Sequence, residues 1–409
     1  SLIVRGGSGV FTGRIPFVWI VAQSGDAGML QFTDTYSGKT NPNMPDFDPN
    51  ITANIPTTKP EGGTKIPSSI SYMDKNLKFP STWKSSVAVD YKLPYGIVAT
   101  VEGIYNKDIN AVVAKNMNLV DPKELGISGY GDNRMIYPNA NIDKYINKLD
   151  ANGQASSTAT GSFSAIKMLN AKGGHYWSAS VQLAKSFDQG FAASIAYVRS
   201  GAKNYGDGSG DQIANLWSLP MQSSGNPNNA SLSYTSNIVP DRIVASASYT
   251  NKWIKNLNTS MTLFYSGSST GRISYYYTAD FNRDGWNGND LIYVPKDASE
   301  ITFVDIPTGL SDYSGKAYTA KEQSEIFWNL VDGDKYLSSR KGQYVERNGG
   351  AMPWRHQFDF RLSQELFNGI GGKKNSLEFF WDIFNVGNLL NPSWGVYKFA
   401  NNGLLNPRN

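Results

Sequence analysis

The residues best placed to do chemistry lie in one short run, Asp280-Phe281-Asn282-Arg283-Asp284-Gly285-Trp286-Asn287-Gly288-Asn289-Asp290. Asp280, Asn282 and Asp284 put side-chain oxygens at the first, third and fifth positions, and a glycine that permits a sharp turn follows. That pattern suits a Ca2+ loop. The twelfth position, where a bidentate Glu would complete the ligand set, is Leu291; Asp290, one residue earlier, substitutes only with a different loop geometry. The competing reading is a surface turn in which Asp and Asn accept hydrogen bonds from their own backbone.

Other chemistry has less to stand on. His175 and His356 are the only histidines, and neither accompanies a Ser-containing nucleophile elbow. Carboxylates such as Asp46, Asp48, Asp284 and Asp290 are numerous, but nothing in their order separates an acid from a base, as glycoside hydrolysis requires. Cysteine is absent, which removes disulfides, thiolate metal sites and Cys nucleophiles. A net charge of +4 without long basic runs leaves no nucleic-acid footprint. The chain reads as a non-enzyme that does not bind nucleic acid.

The elements that would carry these residues are strands. In Trp177 to Lys185, Trp177, Ala179, Val181 and Leu183 share one face while Ser178, Ser180 and Gln182 share the other. The alternation recurs in Phe191, Ala193, Ile195 and Tyr197, in Ile243, Ala245, Ala247 and Tyr249, and in Phe358, Phe360 and Leu362 opposite Asp359, Arg361 and Ser363. Connections alternate too. Lys92 to Gly96, Phe187 to Gly190 and Trp253 to Leu257 are short, Gly- or Asn-containing turns. Between them run Asn116 to Gly161, Lys203 to Pro240 and Asp280 to Pro353, far longer than loops of compact soluble domains. Short periplasmic turns and long extracellular loops are the arrangement of an outer-membrane barrel.

Composition agrees. No run of about 18 apolar residues exists, so a transmembrane helix is excluded while a strand barrel is not. The 23 Tyr, 19 Phe and 10 Trp could supply aromatic girdles at the two interfaces with outer-membrane lipid. Within strands, Glu102, Gln182, Asp359, Arg361, Glu378 and Asp382 are expected to face the lumen, because a basic side chain on the lipid face near the midplane costs about 2 to 4 kcal/mol and an acidic one less. In the long loops, Trp217 within Asn215 to Pro220, and Tyr313 to Tyr318, combine flat rings with amides and hydroxyls suited to capturing a peptide or glycan; loops packed only on each other would look the same. A short helix is expected over Ala320 to Leu330, capped by Thr319 with Glu322 three residues on, and with Ile326, Phe327 and Leu330 on one face.

Several segments resemble the Oar-like TonB-dependent outer-membrane receptors of Bacteroidota. They are Arg5-Gly6-Gly7-Ser8-Gly9-Val10-Phe11-Thr12-Gly13-Arg14-Ile15-Pro16-Phe17-Val18-Trp19-Ile20, then Asn289-Asp290-Leu291-Ile292-Tyr293-Val294-Pro295. Gly342 through Glu346-Arg347-Asn348-Gly349 to Pro353-Trp354 follows, and then Phe384-Asn385-Val386-Gly387-Asn388-Leu389-Leu390-Asn391 to Trp394-Gly395. The resemblance implies a roughly 22-stranded barrel filled by a plug. It also implies a ligand bound at the cell surface, energy delivered through the TonB complex, and in some cases a surface lipoprotein over the barrel. Against that pattern, residues 1–409 read as a partial outer-membrane β-barrel of roughly eleven to thirteen strands. The plug, the TonB-contacting segment, the first strands and the last strand are expected outside this sequence. The rival readings are a passive porin or adhesin barrel, and a soluble secreted glycan-binding β-protein. The last predicts two interior faces packed on each other and no lipid-facing belt.

Overall fold

The computed structural model describes residues 1–25, 45–55, 66, 69–138, 142–150, 154–156, 158–207, 213–218, 223–254, 256–309, 315–369, 371 and 375–407. Its frame is an antiparallel meander of nine long strands: β1 Leu2–Thr12, β2 Ser81–Lys92, β3 Val98–Asn116, β4 His175–Ser186, β5 Phe191–Asn204, β6 Asp241–Ile254, β7 Leu257–Ser269, β8 Trp354–Asn368 and β9 Ser376–Ile383. Each pairs with its sequence neighbour, and three shorter strands bring the sheet to twelve. Among the described residues no helix is long and apolar enough to cross a membrane, which says nothing about strands.

The turns at one end are short for local reasons. Leu93 N–H bonds Ile97 O at 2.8 Å across a turn in which Tyr95 and Gly96 take positive φ. Phe187 N–H closes on Phe191 O at 2.8 Å, with Gly190 at φ 79°. A Cβ on Gly190 would lie 2.1 Å from Thr250 O, so glycine is required there by space as well as by φ. Strand β6 reaches Ile254, opposite Leu257, which tightens the turn expected from Trp253.

Register carries the two-faced pattern across the sheet. Val4, Val89, Val101, Val181 and Tyr197 lie opposite one another in one row. Ile195, Ala245, Tyr265 and Phe358 continue the same face. One residue along, Arg5, Ala88, Glu102 and Ser180 form a row on the other face, as do Ser248, Thr262, Arg361 and Asp382. Because side chains alternate with period two, one register sorts every strand at once. Large apolar side chains of the first face stand open to the surroundings: Val101 is 52% exposed and Ile195 50%. Trp83, Tyr105, Trp177, Tyr265 and Trp354 gather toward the end with long connections, and Tyr91, Phe191 and Tyr249 toward the end with tight turns. These are the two aromatic belts expected of a membrane barrel.

The hydrophobic core sits elsewhere, in the long connections. Strand β3 has 19 residues, about twice what a transmembrane strand needs. Its distal part, Ala111 to Asn116, leaves the meander and pairs with Ser164–Ala171, which pairs in parallel with Ser69–Met73. Around that extension Ala114, Leu119, Tyr137, Ile166, Met168, Ile213 and Trp217 form one buried cluster. The β7–β8 connection builds a second from residues including Tyr275, Tyr277, Ile292, Val294, Phe327, Val331 and Leu337. The connections therefore fold into a cap with its own cores.

The expected helix forms as Ala320–Gly333, with a complete capping box: Thr319 Oγ1 accepts from Glu322 N–H at 3.2 Å, and Glu322 Oε2 accepts from Thr319 N–H at 2.8 Å. Its buried stripe differs from the expected one. Phe327 and Val331, four residues apart, enter the core, whereas Ile326 is 58% exposed and Leu330 38%. The core approaches the helix from one side only, so half of the apolar arc stays uncovered.

Candidate functional site

The six residues assigned to the lumen share the polar face. Glu102 lies opposite Ser180, Gln182 opposite Thr100, Arg361 opposite both Thr262 and Asp382, and Asp359 opposite Phe264. Glu378, on alternate positions with Asp382 in β9, points the same way. The face is cross-linked. Arg361 grips Asp382 with Nε–Oδ1 2.5 Å and Nη2–Oδ2 2.7 Å, the two-pronged geometry that fits guanidinium to carboxylate. Asp359 Oδ1 accepts from Gln357 Nε2 at 2.8 Å and from the Asn385 N–H at 2.7 Å. Arg5 and Asp90, which the sequence reading passed over, join this group: Arg5 Nε lies 3.1 Å from Asp90 and Nη1 4.0 Å from Glu102, while Thr100 Oγ1 donates to Asp90 at 2.6 Å. Asp90 follows the alternation of Ser81–Lys92, opposite in face to Val87, Val89 and Tyr91, a signal that would have found it; Leu2–Thr12 does not alternate around Arg5, whose face is fixed by its pairing with Ala88.

The acidic loop is deeply enclosed, with Asn282, Asp284 and Asp290 at 2% exposure or less. Every side-chain oxygen of the four candidate ligands is already engaged. Asp280 accepts from the N–H groups of Asp284 at 3.0 Å and Gly285 at 2.8 Å. Asn282 Oδ1 accepts from Asp284 N–H at 2.9 Å, and Asp284 from Trp286 N–H at 2.8 Å and Asn289 Nδ2 at 2.7 Å. Asp290 Oδ2 accepts from Phe281 and Asn282 N–H, and its Oδ1 lies 3.3 Å from Arg134 Nη1. Among the described residues no three acidic or histidine side chains converge as a metal-ligand group. The geometry is that of the competing turn reading, but buried instead of on the surface: the oxygens replace backbone partners that a sharp turn cannot supply.

Arg134 organises this region, and nothing local in the sequence announces it. Fully buried, it bonds Asp132 through Nε at 3.1 Å and Nη2 at 2.8 Å, and donates to Leu291 O at 2.8 Å. Its guanidinium stacks 4.4 Å from the Phe281 ring centroid and 4.7 Å from that of Tyr277. Such stacking favours the planar cation once water is excluded. Tyr344 and Tyr277 donate their hydroxyls to Asp132 at 2.8 and 3.3 Å. Arg134 and Asp290 are 156 residues apart, so this cluster clamps the β3–β4 connection to the β7–β8 connection. Burial, with repulsion from Asp280, raises Asp284 to about 6. Burial raises Asp290 to about 7, against the opposing pull of Arg134.

The aromatic loop residues divide. Trp217, expected at a ligand-capturing surface, is 3% exposed, packs in the cluster above β3 and donates its indole N–H to Asn228 Oδ1 at 2.8 Å; it holds the cap together. Asn228 also accepts from Asn116 N–H and donates to Asn116 O, both at 2.8 Å, which locks this loop to the end of β3. Tyr313 lies outside the described residues. Tyr318 is half-buried, pairs with Ile306 through backbone bonds and lines a cavity of about 1050 Å³ in the cap. His356 belongs to an aromatic stack, with Nδ1 2.7 Å from Tyr265 Oη and its ring 5.9 Å from that of Trp354, as suits an interface residue.

A family model described as "Outer membrane beta barrel domain" matches residues 1–395. No curated protein matches the chain. Among solved structures, the crystal structure of the outer membrane transporter YddB from Escherichia coli is similar at a TM-score of 0.37 and 12% identity, over 80% of this chain and 31% of that one. This chain thus spans less than a third of that transporter's length. A sheet with one apolar and one polar face, aromatic belts, tight turns at one end and a folded cap at the other carries a family match over nearly its whole length. The chain belongs to the outer membrane beta barrel domain family and resides in the outer membrane.

Proposed function

We propose that this chain is part of the barrel of a TonB-dependent receptor, which binds a ligand at its extracellular cap and admits it through a lumen closed by a plug. The reading is supported by the resemblance of residues 5–20, 289–295 and 384–395 to TonB-dependent receptors, joined to a polar face where Arg5, Asp90 and Glu102 on one side and Arg361, Asp382 and Asp359 on the other form charged clusters within the wall. A wall so lined can hydrogen-bond a plug and let it shift, because exposed charge pairs are each worth about 0 to 1 kcal/mol and exchange easily. The mechanism is gating by ligand, with no bond made or broken by the protein. Its partners would be the TonB complex, reached through a segment outside residues 1–409, and outer-membrane lipid. A surface lipoprotein over the cap is compatible with this reading. A passive porin or adhesin barrel is the second reading; it uses the same polar wall with no plug. The soluble secreted reading falls with the family match and with a sheet whose apolar face is left exposed among the described residues.

The test uses the full-length protein. Purified and placed in a planar bilayer with potassium chloride, it should show no steady conductance, and it should retain the periplasmic domain of TonB on an affinity column. Steady conductance with no TonB retention would make it a porin.

A further inference from the structure

The cap's cavity has features that its neighbours leave unused. At about 1050 Å³ it stands at the upper end of ligand-site volumes, which run from roughly 300 to 1,000 Å³. Its lining includes Ile301 and Phe303, Leu404, and Ile326 and Leu330, the apolar pair that the helix Ala320–Gly333 leaves outside its core. Ile301 is in the extended conformation, at φ −142° and ψ 135°. Among the described residues, Ile301, Thr302 and Phe303 make no backbone hydrogen bond. Arg283 also lines the cavity, and its guanidinium has no ion pair or hydrogen bond among the described residues. The nearby carboxylate of Asp280 is held by two N–H groups of its own loop.

From these features we infer that the cavity binds a short apolar peptide ending in a free carboxylate. Apolar side chains at alternate positions fill the walls, the peptide backbone pairs with the free edge at Ile301 to Phe303, and the carboxylate meets Arg283. An added strand of this kind takes affinity from main-chain bonds and selectivity from pockets for alternate side chains. A fatty carboxylate would satisfy Arg283 but leave the backbone edge unpaired. A glycan would set hydroxyls against Ile, Phe and Leu, at the desolvation cost of unpaired polar groups. The inference names the ligand class for the receptor proposed above, but binding itself requires neither TonB nor a plug.

Calorimetry on the full-length protein in detergent separates the two claims. The probes are the peptide N-acetyl-Leu-Ser-Phe-Ser-Leu as free acid, the same peptide as C-terminal amide, and palmitate. The free acid should bind at least about tenfold more tightly than the amide, the loss expected when a desolvated charge pair is removed. Arg283→Asn, which suits the positive φ of 64° at this position, should bring acid and amide to the same affinity, while Arg283→Lys keeps part of the difference. Ile326→Glu, on the exposed helix face, should weaken both. Equal binding of acid and amide by the wild type, no binding of either, or binding of palmitate alone would each overturn the inference. Peptide binding by a protein that fails to retain TonB would keep the site and reject energised import.

Discussion

The sheet and the cap of this chain meet water on opposite terms. In the sheet, Val101, Val181 and Ile195 lie open on the apolar face while Arg361, Asp382 and Glu102 share the polar one. In the cap, Ile292, Val294, Val331 and Leu337 are fully enclosed, and so is the Arg134 ion cluster. The sheet needs lipid to bury its apolar face and gains little from its exposed charge pairs. The cap removes both apolar groups and charges from solvent, so each of its buried charges depends on its partner. Identical residue types thus carry very different energetic weight in the two regions.

The largest expected break in this contrast is Arg134→Met. It strands Asp132 and Asp290 in a dry site and should cost the cap about 3 to 5 kcal/mol. Limited proteolysis should then cut the β3–β4 and β7–β8 connections while the sheet keeps its heat-modifiable migration on gels; loss of both together would mean that the two regions fold as one unit. Next, Val181→Arg on the apolar face should destabilise the sheet by about 2 to 4 kcal/mol in lipid, whereas Gln182→Arg, its neighbour in β4 on the polar face, should change little. Unfolding titrations from liposomes check this pair, and equal effects would erase the distinction between the faces.

A smaller effect concerns pH. Asp284 and Asp290 are raised in the folded cap to about 6 and about 7, so the folded state holds protons that the unfolded chain releases near pH 4. The stability they contribute is complete below about pH 4 and is lost as pH rises toward about 7. The urea midpoint of the cap, followed by tryptophan fluorescence, should fall between about pH 5 and pH 8, and Asp284→Asn should flatten the change. The smallest expected effect is that of calcium. With the loop oxygens engaged by backbone N–H groups and Arg134, cleavage near Trp286 should be the same in calcium, magnesium or chelator. Protection by calcium alone would restore the metal reading of Asp280, Asn282, Asp284 and Asp290.

What could be read from the amino acids followed from short-range geometry. Alternation in Trp177 to Lys185 gives two faces because side chains repeat every second residue, so all six lumen assignments fall on one face without knowledge of any partner strand. The tight turn at Gly190 and the Thr319–Glu322 capping box were legible for the same reason, since the positive φ and the cap bonds are set within a few residues, although the contact of Gly190 with Thr250 was not. Folding in three dimensions settled whatever depends on meetings between distant segments. Trp217 shows a surface-like context in sequence but is buried by Asn228 and the extension of β3; Arg134 finds Asp290 across 156 residues; and Ile326 and Leu330 become cavity wall because the core reaches only one side of their helix. Local periodicity specifies the direction of a side chain, whereas burial and charge pairing depend on which other segment arrives there, and the residue's own neighbours carry no record of that.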